Sequence, residues 1–178
     1  IPKKKETKSF SKQPVYKTVR SIPLNENNWQ VRLSECNNLV LDRPSFKIGK
    51  TEYKAEEILK IDKEVRKALG LSSRAGNMMQ PWAKEKVDNP KSIPVELTYT
   101  FNADYVPDGD IYLAVECPTK FDISVNGTRL NTDMRSGWWV DRSLEKIPVD
   151  PSLIRRGENS IVMTIDYDQN YSGLEIVY

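Results

Sequence analysis

Trp138 and Trp139 stand side by side in Gly-Trp-Trp-Val-Asp, with Arg135 shortly before them and Asp141 shortly after. An indole offers a flat apolar face to the C–H-rich side of a pyranose, and Arg or Asp supplies planar groups that hold hydroxyls. With Tyr171 as a further aromatic, Trp138, Trp139, Asp141, Arg135 and Tyr171 form a candidate carbohydrate-binding set. The same residues have a plainer use. One tryptophan can fill a core while the helix, a long loop or a neighbouring domain covers the other. A strand through this run sends Trp138 and Val140 to one face and Trp139 and Asp141 to the other. Trp139, beside Asp141, is the indole expected to stay exposed.

Hydrolytic chemistry has less to work with. Glycoside cleavage takes two carboxyl groups about 5–10 Å apart, one with a raised pKa. Glu116, Asp122, Asp141, Asp166 and Asp168 are available, but nothing in their spacing pairs them. The chain has no histidine, which removes Ser-His-Asp and Cys-His machinery and most zinc or non-haem iron sites. No catalytic residue is assigned, and the chain is read as non-enzymatic. Asp108 and Asp110 flank Gly109 and could offer oxygens to a structural Ca²⁺, although a plain turn explains the same residues. Cys36 and Cys117 lack metal spacing and are expected to pack as free, small apolar groups at strand ends.

The whole chain bounds these readings. Its 178 residues suit one domain with a substantial core, with or without an appendage. A net charge of +2 creates no field for nucleic acid, and no apolar run approaches the roughly 18–20 residues that span a bilayer. No signal-peptide pattern opens the chain, which begins Ile-Pro-Lys-Lys-Lys and reads as a fragment of a longer protein.

Several elements must position the candidate residues. Residues 1–27 are rich in Lys, Ser, Thr, Pro and Asn and read as a linker or interdomain segment, with Val15, Tyr16 and Val19 hinting at a short extended piece. Residues 28–178 carry the domain. Short strands are expected at 29–33, 39–41 and 46–48. Ala55 to Leu69 is the clear helix, with Ile58, Ile61, Val65 and Leu69 on one stripe, a Glu56–Lys60 pair, an acidic first turn and Gly70 as its left-handed cap. A long connection through Met78, Met79, Pro81 and Trp82 reads as docking on another surface. From Val95 the pattern turns to short strands: 95–101, 111–115, 121–130, 145–149, 161–165 and 174–178, with a helical turn near 151–154. Asn126-Gly127 is the strongest hairpin signal, because a type I′ turn needs positive φ at both central residues.

Some of these residues carry a resemblance. Phe-Asp-Ile-Ser-Val-Asn-Gly127, Gly-Trp-Trp-Val-Asp141, Ile-Pro-Val-Asp150 with Leu153 and Ile154, and Gly157-Glu-Asn159 resemble the galactose-binding-like sugar-binding domain of glycoside hydrolase family 2. That domain recurs in large exported bacterial enzymes of the α-L-rhamnosidase-like kind. Asn126, Gly127, Asp150, Leu153, Gly157 and Asn159 occupy the motif positions. Asn38–Asp42, the helix from Glu57 to Asp62 with Val65 and Arg66, and Met79-Gln80-Pro81-Trp82 resemble the segment that precedes the sandwich.

The resemblance implies an antiparallel β-sandwich of galactose-binding, jelly-roll type with one helix and a long loop before its main strands. It also implies a periplasmic or extracellular location, and a non-catalytic role beside a separate catalytic domain. The partners expected are an oligosaccharide or polysaccharide, that catalytic domain, or both. The alternative is a purely structural or protein-interaction module without a sugar ligand.

Overall fold

The computed structural model describes residues 15–23, 30, 32–34, 37–72, 85–170 and 174. The chain divides into two units, Ile1–Asn37 and Asn38–Tyr178. The described residues of the first unit form neither helix nor strand, and Val15, Tyr16 and Val19 are fully or almost fully exposed. The strand expected at 29–33 is not seen at Gln30, Arg32 or Leu33. In the second unit the strand expected at 39–41 is also absent. Leu39 and Val40 are 58% and 52% exposed, and only Leu41 of the run packs against the core.

The second unit is a β-sandwich with a single helix among the described residues. Its elements run β1 (Ser45–Ile48), β2 (Thr51–Tyr53), α1 (Ile58–Ala68), β3 (Ser92–Ala103), β4 (Ile111–Glu116), β5 (Asp122–Val125), β6 (Thr128–Arg129), β7 (Trp138–Trp139), β8 (Asp141–Val149) and β9 (Gly157–Asp168). Six strands order as β2-β1-β3-β9-β5-β6 and three as β4-β8-β7, all neighbours antiparallel. The long strands follow from their alternation. Val95, Leu97 and Tyr99 of β3 point inward with Ile161, Met163 and Ile165 of β9, and Leu113, Val115, Ile147 and Val149 face them from the smaller sheet. Ile147 and Met163 are wholly buried, each worth roughly 1.5–3 kcal/mol relative to exposure. No described helix is long and apolar enough to cross a membrane.

Helix α1 lays Ile58, Ile61 and Val65 on the core, as its stripe requires. It ends in a Schellman turn: Gly70 takes φ +72°, its N–H donates to Lys67 O, and Leu71 N–H donates to Arg66 O. The acidic pair Glu56 and Glu57 precedes the first turn and does not occupy it. Glu56 accepts from its neighbour's N–H, from Lys60 and from Arg43.

Two charged residues of this helix are buried, Asp62 and Arg66. Arg66 donates to the Tyr167 hydroxyl at 3.1 Å and to Ser72 O at 2.6 Å. That hydroxyl donates to Asp62 Oδ1 at 3.2 Å, which also accepts the Leu174 N–H at 2.8 Å. Burial first, then the Asp62 charge, pushes the Tyr167 phenol up to about 12. The cluster ties α1 to the end of β9, and each buried charge has hydrogen-bond partners. The 174–178 strand is not seen at Leu174, and the remaining residues of that run lie outside the described ones.

Candidate functional site

The Asn-Gly hairpin has the expected geometry. Asn126 and Gly127 take φ +48° and +84°, the type I′ pair, and Val125 and Thr128 face each other across the turn. The Asn126 carboxamide turns away from solvent. Nδ2 donates to Leu153 O at 2.7 Å and Asn159 Oδ1 at 2.8 Å, while Oδ1 accepts the Ser160 N–H at 2.9 Å. Asn159 is fully buried, donates to Arg155 O and Gly157 O, and accepts Arg155 N–H. Asp150 caps the 3₁₀ turn Pro151–Leu153 by accepting Ser152 N–H, which holds its carboxyl below the ordinary range. Hydrogen-bonding capacity here is spent inside the fold, so Asn126, Asp150, Leu153, Gly157 and Asn159 form a structural staple.

The tryptophan region is built differently. Trp138 and Trp139 form β7, at the edge of the three-stranded sheet, and the chain reverses at once into β8. The reversal runs through Val140 at φ +58°, a conformation that a β-branched residue rarely adopts. The ladder slips between Trp138 and Trp139. The single strand expected through residues 138–141 is therefore a hairpin, and its alternation breaks at Val140. Trp138 is the exposed indole, at 53%, with Val140 at 74%, whereas Trp139 is half-buried. The expected order of the two is reversed.

Trp138 lies opposite Glu145 of β8, and Arg135 Nε pairs with the Glu145 carboxylate. Arg135 also donates to Thr132 O and Met134 O, which aims its guanidinium back along the hairpin. Ser136 N–H bonds Lys146 O, and Lys146 N–H bonds Gly137 O. The result is an indole, a carboxylate and a guanidinium on one edge, with Arg135 and Glu145 both part-exposed. Glu145 was invisible to sequence reasoning, because only strand register places it opposite Trp138.

The remaining candidates scatter. Asp141 does not join this group: its Oδ1 accepts Ser143 N–H at 2.8 Å, and that bond lowers its pKa. Tyr171 and the 78–82 cluster lie outside the described residues. Asp110 accepts from the Tyr112 hydroxyl in the turn before β4. Among the described residues no group of three or more His, Cys, Asp or Glu side chains could hold a metal ion, so Asp108 and Asp110 are not joined by a third such side chain. Cys117 is free and exposed at φ +47°, not packed as a small apolar group. Cys36 lies outside the described residues.

The carboxylates of the glycosidase test fall into two groups, Glu116 with Asp141 around Ser143 on the small sheet, and Asp122, Asp166 and Asp168 on the large one. Glu116 accepts from Ser143 Oγ beside the small sheet. Asp122, Asp166 and Asp168 line an open groove of about 840 Å³ on the outer face of the six-stranded sheet. In that groove Lys47 holds Glu96 at 3.0 Å and Arg129 holds Asp122. Among the described residues that line it the one aromatic, Phe121, is turned into the core. The groove therefore offers polar walls without a stacking platform, and the platform stands elsewhere, at Trp138.

Against protein-family models, curated proteins and solved structures, the chain has no match.

Proposed function

We propose that this sandwich is a non-catalytic, carbohydrate-holding module of an exported glycoside hydrolase that acts on complex polysaccharides. The observation that carries the reading is the half-exposed Trp138 indole with the Arg135–Glu145 pair on the same edge. A pyranose stacked on the indole would find a donor and an acceptor within reach of its hydroxyls. The galactose-binding-like jelly-roll connectivity and the periplasmic or extracellular location belong to the same proposal, and rest on the sequence motifs. The chemistry of the carboxyls supports a holding role. Of the candidate carboxyls, Asp141 is lowered by the Ser143 N–H, the direction opposite to what a general acid requires.

One observation favours a second reading, in which the same edge packs on a neighbouring domain. Met134 is exposed beside Trp138 and Val140, and these apolar neighbours exceed what a sugar face needs. A glycan-panel screen of wild type, Trp138→Ala and Trp139→Ala separates the two. The proposed function expects binding by wild type and by folded Trp139→Ala, lost in Trp138→Ala. Silence of all three folded proteins would sink it and leave interdomain packing.

A further inference from the structure

We infer that Asn126-Gly127 is a deamidation site gated by the fold, protected in the closed sandwich and irreversible in its consequence. The dipeptide is chemically exposed in one respect. Gly127 carries no side chain, and nothing lies within 4 Å of where a Cβ would stand, so the turn is open on that side.

In the reaction that nitrogen attacks Cγ of Asn126. An N–Cγ bond forms, the Cγ–Nδ2 bond breaks, and ammonia leaves with the amide proton. Water then opens the cyclic imide at either carbonyl, giving aspartate or isoaspartate. Attack requires the carboxamide to swing free. In the fold it is fixed by three hydrogen bonds, to Leu153 O, Asn159 Oδ1 and Ser160 N–H. The Asn126 backbone is held as well, its N–H donating to Ser160 O at 2.8 Å. Reaction therefore proceeds through local opening, and its rate carries the small population of the open state.

Conversion removes both Nδ2 donations. A carboxylate then faces the Leu153 carbonyl and Asn159 Oδ1, three acceptors with no proton between them. Isoaspartate in addition lengthens the backbone of a two-residue turn whose register sets Val125 against Thr128. The staple does not re-form around either product.

The full chain is incubated at mildly alkaline pH in buffer and in concentrated urea, and the tryptic peptide Phe121–Arg129 is followed by mass spectrometry. Conversion in buffer is expected to be slower by at least about tenfold. Folded Asn159→Ser, which loses one anchor of the carboxamide, is expected to convert faster in buffer than wild type. Equal rates in buffer and urea, with wild type folded in buffer, overturn the gating, and this arm stands even where Asn159→Ser fails to fold. Asn126→Asp tests the consequence: a lowered urea midpoint is expected, and a midpoint equal to wild type overturns it.

Discussion

Of the three non-glycine residues at positive φ among the described residues, Asn126 and Val140 sit in hairpin turns, and the two turns handle that conformation in opposite ways. At the first, Asn126 takes +48° and its side chain is satisfied three times over by Leu153, Asn159 and Ser160. Asn is also one of the few residues that tolerate this region. At the second, Val140 takes +58° with a β-branched side chain 74% exposed, beside a half-exposed tryptophan. Strain at the first turn is offset by bonding inside the fold. At the second, the exposed valine gains little packing to offset it. The left-handed strain at Val140 is therefore not offset as it is at Asn126.

That contrast breaks most sharply at Asn159. Asn159→Ala leaves the Arg155 N–H, the Arg155 and Gly157 carbonyls and the Asn126 amide without their partner. It is expected to lower unfolding free energy by about 3 kcal/mol in urea denaturation. A loss near zero would mean the staple is decorative. Next in size is Gly127→Ala, at φ +84°, expected to cost about 1–2 kcal/mol.

The mirror experiment at the other turn has the opposite sign. Val140→Gly relieves about 1–2 kcal/mol of left-handed strain against about 0.5–1 kcal/mol of added chain entropy, so denaturation should show a gain of about 0.5–1 kcal/mol. Destabilisation instead would show that Val140 packs usefully. Trp138→Ala should leave stability within about 0.5 kcal/mol while removing glycan binding.

Acid titration gives the smallest effect. Asp150 and Asp141 each accept a backbone N–H two residues on, which depresses their folded-state pKa. Their contribution to stability is therefore complete above the unfolded carboxyl range of about 4 and is lost as pH falls through the lower folded values. Both are exposed, so the loss is slight. Followed by circular dichroism, wild type should approach Asp150→Asn in stability only below about pH 4. A constant gap down to strong acid would remove Asp150 from the cap.

Much of the sandwich was legible beforehand, and the misses have physical causes. The strands around Val95–Phe101, Phe121–Leu130 and Ile161–Ile165 were readable because every second residue is apolar and the period of two leaves one solution. The runs at 29–33 and 39–41 carry comparable apolar residues, but strand formation needs a partner edge, which sequence does not display. Strand β2 went unseen for the converse reason: Thr51–Tyr53 are all exposed, and only pairing with β1 makes them a strand. Nothing in the helix itself marks Asp62 and Arg66 as buried, because the Tyr167 hydroxyl that bonds both comes from a strand distant in sequence.

The sequence by itself determined the β-rich class, the helix and its glycine stop, and the Asn-Gly turn. All of these follow from local period and local φ preference, which adjacent residues encode. Only the tertiary structure decided that Trp138 and not Trp139 faces water, that Glu145 stands opposite it and holds Arg135, and that Asn126 and Asn159 bond each other. The first two depend on the slipped register of one tight hairpin, and the last on strands far apart in the chain. One left-handed valine was enough to reverse which indole the strand exposes.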